Sequence, residues 1–173
     1  FIGLPNSMHE HFCLKAMEHN KNVLVEKPIT NNFESFLRIK KEFVKKNLLI
    51  EEGTANKYHP FYKNVLNVLS NLDHSTIYKI KSSFGNDALG GRKIFGFRLK
   101  KIDTNKRLFN QSLGGGAILD GGIYPVSLII DILDQYKNDY YENLNINKCL
   151  NKISNNIDLN SKIYGKTKNI EIE

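Results

Sequence analysis

"FIGLPNSMHEHFCLKAMEHNKNVLVEKPIT", residues 1–30, decides how the chain is read. "FIGL" is a short buried strand ending at Pro5, and Asn6 or Ser7 caps the helix after it. In "MHEHFCLKAMEHN", Phe12, Cys13, Ala16 and Met17 recur at helical spacing on one face. "NVLVE" is an unbroken apolar run, the pattern of a parallel strand covered on both sides, and Pro28 ends it. Beyond it, "NNFESFLRIKKEFVKKN" is an amphipathic helix with Phe33, Phe36, Leu37, Ile39 and Phe43 apolar, and "LLIEEG" is another strand. Strand–helix–strand–helix–strand is the βαβ order of an α/β domain.

After Gly53 the texture changes. "HPFYKNVLNVLSNL" predicts a helix with Pro60 in its first turn. "TIYKIKSSFG" alternates as a half-exposed strand does. Residues 86–113 are polar, irregular and too long for a plain connector. Residues 116–133 predict one continuous helix. "INKCLNKI" and "SKIYGKTKNIEIE" alternate like sheet strands, and the Asn/Lys-rich stretch 134–160 is otherwise left without structure.

The 173 residues carry a formal charge of +7, mostly Lys spread among Asn and Ile. Nucleic-acid surfaces concentrate their charge and mix in Arg and aromatics, so no nucleic-acid partner is expected. The apolar run Val126–Leu133 is broken by Ser127 and Asp131 and is too short to span a bilayer, so no membrane partner is expected. Cys13 and Cys149 fit no metal or redox spacing, which points to a reduced, cytoplasmic protein. The chain starts at Phe1 inside a strand pattern and stops inside another, so it reads as part of a longer polypeptide.

Glu26 and Lys27 stand at the carboxyl end of a parallel strand, the edge where open α/β sheets bind ligands. Lys27 precedes Pro28, and a cis bond is expected there. It is either a ligand-orienting group or a surface Lys at a strand end. "GGGAILDGGIYP", 114–125, has neither the order nor the setting of a phosphate loop. Gly114–Gly116 instead let the backbone turn sharply or pass close to a ligand. Asp120 and Tyr124 share one helical face, where a carboxylate and a phenol hold a hydroxylated substrate and exchange a proton with it. A Tyr hydrogen-bonded to an Asp inside a core is the other reading. His9 and His11 diverge on a helix, so no metal site is read. His59 lines a site or caps a helix, and Arg107 contacts a polar ligand or is solvated.

Three stretches together resemble the glucose–fructose oxidoreductase/inositol dehydrogenase (Gfo/Idh/MocA) family. "LPNSMHEHFCLKAMEHNKNVLVEKPIT" is similar to its TPN-x-x-H…EKP segment, with Leu4 in the Thr position. "ANKYHPFYKNVLNVL" is similar to its Y-R-F-H-P motif, with Lys57 or Tyr58 near the Arg position. "GGGAILDGGIYPVSLIIDIL" is similar to its GGG-x-L-x-D-x-G-x-[HY] motif. Tyr in the last position resembles the glucose–fructose oxidoreductase and dihydrodiol dehydrogenase branches. The resemblance covers roughly residues 1–133.

It implies an α/β fold: the C-terminal part of a Rossmann-type dinucleotide-binding domain over 1–54, then an incomplete α+β domain over 55–173 with an open, mostly antiparallel sheet. The implied reaction is hydride exchange between NAD or NADP and a CH–OH group of a sugar, cyclitol or diol. It implies Lys27, Tyr124 and Asp120 as catalytic residues, and Lys27, Arg107, Asp120 and Tyr124 as the substrate contacts. Pro5, Asn6, His9, Glu26, Lys27 and Pro28 are implied around the cofactor. A phenol titrates at about 10, and a neighbouring Lys ammonium favours its ionised form. The resemblance implies a homo-oligomer for the full-length protein. The family's G-x-G-x-x-G loop is not among these residues, so the isolated chain is expected to lack activity. A non-catalytic relative that binds a sugar-like ligand or a partner is the alternative.

Overall fold

The computed structural model describes residues 1–73, 77–85, 93–94, 97–98, 103, 105–135, 144–154 and 156–173, with backbone only at 93–94, 97–98 and 147–154. Helix α1, His9–Glu18, leads to strand β1, Val23–Glu26. Helix α2, Phe33–Lys45, leads to strand β2, Ile50–Gly53. β1 and β2 pair in parallel, and Ile2 adds a parallel bridge to Val25 on the other side. Its amide donates to Leu24 O at 2.8 Å, and its carbonyl accepts from Glu26 N at 2.9 Å. The first predicted strand is thus one bridge deep.

Side chains alternate along a strand, so Val23 and Val25 face one side and Leu24 the other. The valines pack with Cys13 and Met17 of α1 and with Ile39 and Phe43 of α2. Both helices therefore cover the same face. Leu24 is 44% exposed, which corrects the expectation of a strand covered on both sides. The apolar face of α2 is also narrower than its pattern suggests. Ile39 and Phe43 are buried, whereas Phe33 and Leu37 are exposed because α1 meets α2 through Ser35 and Arg38, both bonded to Glu10. Both helices stop at an Asn in the left-handed region, Asn20 (φ 55°) and Asn47 (φ 54°), the short polar side chain that tolerates that stop. Asn32 caps α2 by accepting from Ser35 N at 2.9 Å.

Helix α3, Pro60–Ser70, starts where predicted, with the proline in its first turn. His59 is its cap, accepting from Phe61 N at 3.2 Å. Strands β3 (Lys79–Ile80), β6 (Asn145–Ser154), β7 (Ile157–Lys166) and β8 (Glu171–Ile172) form a sheet in the order β3-β8-β7-β6. Only β3–β8 is parallel; the other pairings are antiparallel. Short strands β4 (Lys93–Ile94) and β5 (Phe97–Arg98) pair with each other. Residues 86–92, 95–96, 99–102 and 104 of the irregular stretch lie outside the described residues, as does the side chain of Cys149. β6 is the strand expected from "INKCLNKI", extended by a residue at each end and paired antiparallel with β7.

Helix α4, Ile123–Gln135, packs Ile129, Ile132 and Leu133 against Ile80, Ile170 and Ile172 of this sheet. A π-helical turn, Ile118–Gly122, precedes it, so the predicted continuous helix is interrupted. The helical run Gln111–Gln135 has the length and composition to cross a membrane, a correction to the shorter apolar run read from sequence. Here Asp131 within it is tied to other elements: it pairs with Lys57 at 2.8 Å and accepts from Tyr62 Oη at 2.7 Å. Burial first, then the Asp131 hydrogen bond and charge, push the Tyr62 phenol far up. Tyr62→Phe leaves one carboxylate oxygen without its donor. It is expected to lower stability by about 1.5–3 kcal/mol, read from urea midpoints at unchanged slope.

Candidate active site

The site forms where β1 ends against the turn that starts α4. The Lys27–Pro28 bond is cis. Past it, Glu52 of β2 holds the loop: Oε1 accepts from Ile29 N and Oε2 from Thr54 Oγ1, each at 2.7 Å. Lys27 leaves this edge half-buried, with its side chain 15% exposed. Its ammonium donates to the main-chain carbonyl of Asp120. It also lies 3.6 Å from Asp120 Oδ1 and 5.0 Å from the centroid of the Tyr124 ring. So Lys27 meets Asp120 and Tyr124 from 93 residues before Asp120 in the chain, and the surface reading of Lys27 falls away. Tyr124 is half-buried and packs against Phe84 at a tilt, with ring centroids 4.8 Å apart and planes 43° apart.

Arg107 joins them through its Nη2, 2.6 Å from Asp120 Oδ1. Burial alone would raise the Asp120 carboxyl. The Arg107 hydrogen bond and the charges of Lys27 and Arg107 outweigh it and hold the group below its usual range. A carboxyl lowered by folding stabilises the fold above its unfolded value, about 3.9, and loses that contribution as pH falls through the lowered value. The stability gap between wild type and Asp120→Asn should therefore shrink below about pH 4. Urea titrations at neutral and acid pH measure it, and a gap that widens on acidification would contradict this sign.

The glycines answer to protein, not to a ligand. Gly114 has φ 74°, and a Cβ there would meet Asn6 Cβ at 2.7 Å and Asn31 Oδ1 at 2.8 Å. Gly115 has the carbonyls of Arg107 and Leu108 in that space. Gly116 has φ 121° and the Asp158 carboxylate in the same space. The run is a seam: one end abuts the first sheet's loops and the other abuts β7. Asn6, buried, crosses the seam with Nδ2 donating to Gly114 O at 3.0 Å.

Of the residues expected around a cofactor, Pro5, Glu26, Lys27 and Pro28 lie half-buried at the strand ends. His9 does not open onto that edge. It is fully buried, with Nδ1 2.9 Å from Pro28 O and Nε2 2.9 Å from Leu4 O, and braces the two loops together. This corrects its reading as a cofactor contact. Asn6 likewise spends its amide on the seam. Sequence reasoning missed Asp158, which accepts from Ile118 N at 2.7 Å and Ser161 Oγ at 2.8 Å. It also missed Phe84. Both contact the site only through tertiary structure and stand in no motif. A cavity of about 790 Å³ opens from Asp120–Gly122 between α4 and the sheet, with Phe84 on its wall.

A parallel-sheet edge carrying an ammonium thus faces a carboxylate and a phenol at the turn into α4. The solved 3-ketoreductase of Actinomadura kijaniata, a complex with NADP and TDP-benzene, shares this fold at TM-score 0.72 and 21% identity, over 99% of this chain and 48% of its own. Residues 1–54 match the Gfo/Idh/MocA oxidoreductase family, NAD-binding Rossmann fold. A dTDP-3,4-didehydro-2,6-dideoxy-α-D-glucose 3-reductase of Saccharopolyspora spinosa is 31% identical over 125 residues, 72% of this chain and 34% of its own length. A trans-1,2-dihydrobenzene-1,2-diol dehydrogenase of Xenopus laevis is 26% identical over 137 residues, 79% of this chain and 37% of its own. The chain belongs to the Gfo/Idh/MocA oxidoreductase family. It spans about a third of the length of these curated relatives.

Proposed function

We propose that the polypeptide carrying these residues is an NAD(P)-dependent oxidoreductase that exchanges hydride with a CH–OH group of a sugar, cyclitol or diol. The observation that carries this reading is the meeting of Lys27, Asp120 and Tyr124 at one sheet edge. Residues 1–54 then serve as the C-terminal part of the dinucleotide-binding domain and 55–173 as the substrate domain. The relatives named above, a sugar reductase and a diol dehydrogenase, support that substrate class. A cytoplasmic location and a homo-oligomeric full-length protein belong to the same proposal.

The residues fit the nicotinamide end of the cofactor. Two parallel segments end side by side at Pro5 and at Glu26–Lys27, and such carboxyl edges take ligands. Glu26 offers an acceptor there and Lys27 a donor. Gly114–Gly116 do not fit the pyrophosphate, because protein atoms fill the space their missing side chains leave. The nicotinamide, when bound, supplies or accepts the hydride. In reduction, Tyr124 Oη gives its proton to the carbonyl oxygen of the substrate, and the Lys27 ammonium steadies the charge that develops there. Asp120, kept ionised by Arg107, accepts hydrogen bonds from neighbouring hydroxyls. Oxidation runs the same proton in reverse.

The test is nicotinamide absorbance with a panel of sugars, cyclitols and diols, using the full-length polypeptide. Substrate-dependent turnover with either cofactor supports the reading. Binding of a sugar-like ligand without hydride transfer would favour the non-catalytic alternative.

A further inference from the structure

The turn that carries Asp120 is wider than an α-helix, and two residues outside the Lys27–Asp120–Tyr124 group account for it. Ile118–Gly122 is π-helical, with five-residue rather than four-residue spacing. At its start, Ile118 N has no acceptor within its own helix. Asp158, arriving from β7, supplies one at 2.7 Å, with its carboxylate further fixed by Ser161 Oγ. Gly116 makes room for that carboxylate, since any Cβ there would stand on Asp158 Oδ1. At the other end, continuing the five-residue pattern would bring the N–H of residue 125 to the carbonyl of Asp120. Residue 125 is a proline and has none. The Lys27 ammonium donates to that carbonyl instead.

We propose that Asp158 and Pro125 are positioning residues. From opposite ends they hold the turn open, so that Asp120 presents both its main-chain carbonyl and its carboxylate to Lys27. The catalytic part of this inference rests on the oxidoreductase reading; the structural part stands without it. Lys27 faces Asp120 from the turn and the Tyr124 ring from α4, and Arg107 shares the Asp120 carboxylate. Any change in the turn therefore reaches the ammonium directly.

The experiment uses the full-length polypeptide and reads the Lys27 ammonium by ¹⁵N–¹H NMR, assigned by its loss in Lys27→Arg. A hydrogen-bonded ammonium exchanges slowly enough to be seen. Pro125→Ala supplies a competing N–H and suits a helix better than proline, so the variant folds. It should lose the Lys27 signal, as should Asp158→Ala. Asp158→Asn keeps an acceptor for Ile118 N and should retain it. In turnover, Pro125→Ala and Asp158→Ala should lower kcat by roughly 10²-fold, the order expected for a displacement of about 1 Å, with cofactor affinity unchanged. Asp158→Asn should recover most of that loss. An unchanged Lys27 signal in both Pro125→Ala and Asp158→Ala would overturn the proposal, even if Asp158→Ala melts earlier. Unchanged signals with wild-type kcat would do the same. Absence of turnover in the wild type would count against the oxidoreductase reading, while the NMR result would still decide the role of the two residues.

Discussion

Lys27→Ala and Tyr124→Phe, each made in the full-length polypeptide, should lower kcat by roughly 10²–10⁴-fold, the usual contribution of a positioned acid or base. Cofactor affinity should hold within a few-fold, because the family's glycine loop, not this pair, grips the pyrophosphate. The two losses should not add. Lys27 lies against the Tyr124 ring and bonds the turn one helical step before it. Groups that act as a unit give grossly non-additive effects, so the double variant should be little worse than the poorer single one. Steady-state kinetics on the cycle of four proteins measures this. Strict additivity, or wild-type kcat in either single variant, would remove the pair from the mechanism.

Gly116→Ala should be among the most destabilising single-methyl additions in the chain. Its φ of 121° lies where L side chains are strained, at about 1–3 kcal/mol. The new Cβ would also displace Asp158 Oδ1 and loosen the cap on Ile118 N, worth about another 1 kcal/mol. Gly122→Ala provides the control. Its Cβ would meet nothing nearer than 3.6 Å, and its φ is not in the positive region. Urea unfolding of the pair should separate them by about 2–4 kcal/mol. Equal midpoints would mean that Asp158 does not brace the turn.

Local patterns carried the first half of the fold. The βαβ order over 1–53, Pro60 opening α3 and the ammonium at the end of β1 all follow from periodicity and proline placement, and these depend on near neighbours in sequence. What escaped depends on distant partners. Leu24 looked like a core residue until both helices took the other face of the sheet. His9 looked like a site residue because it stood in a motif, yet its ring is consumed by two carbonyls. The Ile118–Gly122 turn reads as plain helix in the sequence, because its widening rests on Asp158, 40 residues away, and that residue stands in an Asn/Lys-rich stretch without a signature. Lys27, Asp120 and Tyr124 were legible as candidates one by one, and their roles came from family resemblance. Their meeting is a fact of the tertiary structure, set by the glycine seam that lets the two sheets' loops approach.

If Lys27 and Tyr124 serve hydride exchange at a carbinol carbon, deuterium on that carbon must reach the nicotinamide. The most direct measurement is isotopic. Candidate diols and sugars, deuterated at the carbinol carbon, are incubated with the full-length polypeptide and oxidised NAD or NADP, and the nicotinamide product is weighed by mass spectrometry. The reduced nicotinamide should carry one deuterium, formed at a rate that Lys27→Ala and Tyr124→Phe lower by roughly 10²–10⁴-fold. Failure of wild type to transfer deuterium to either cofactor from any substrate of the class, while a sugar-like ligand still binds, would contradict it.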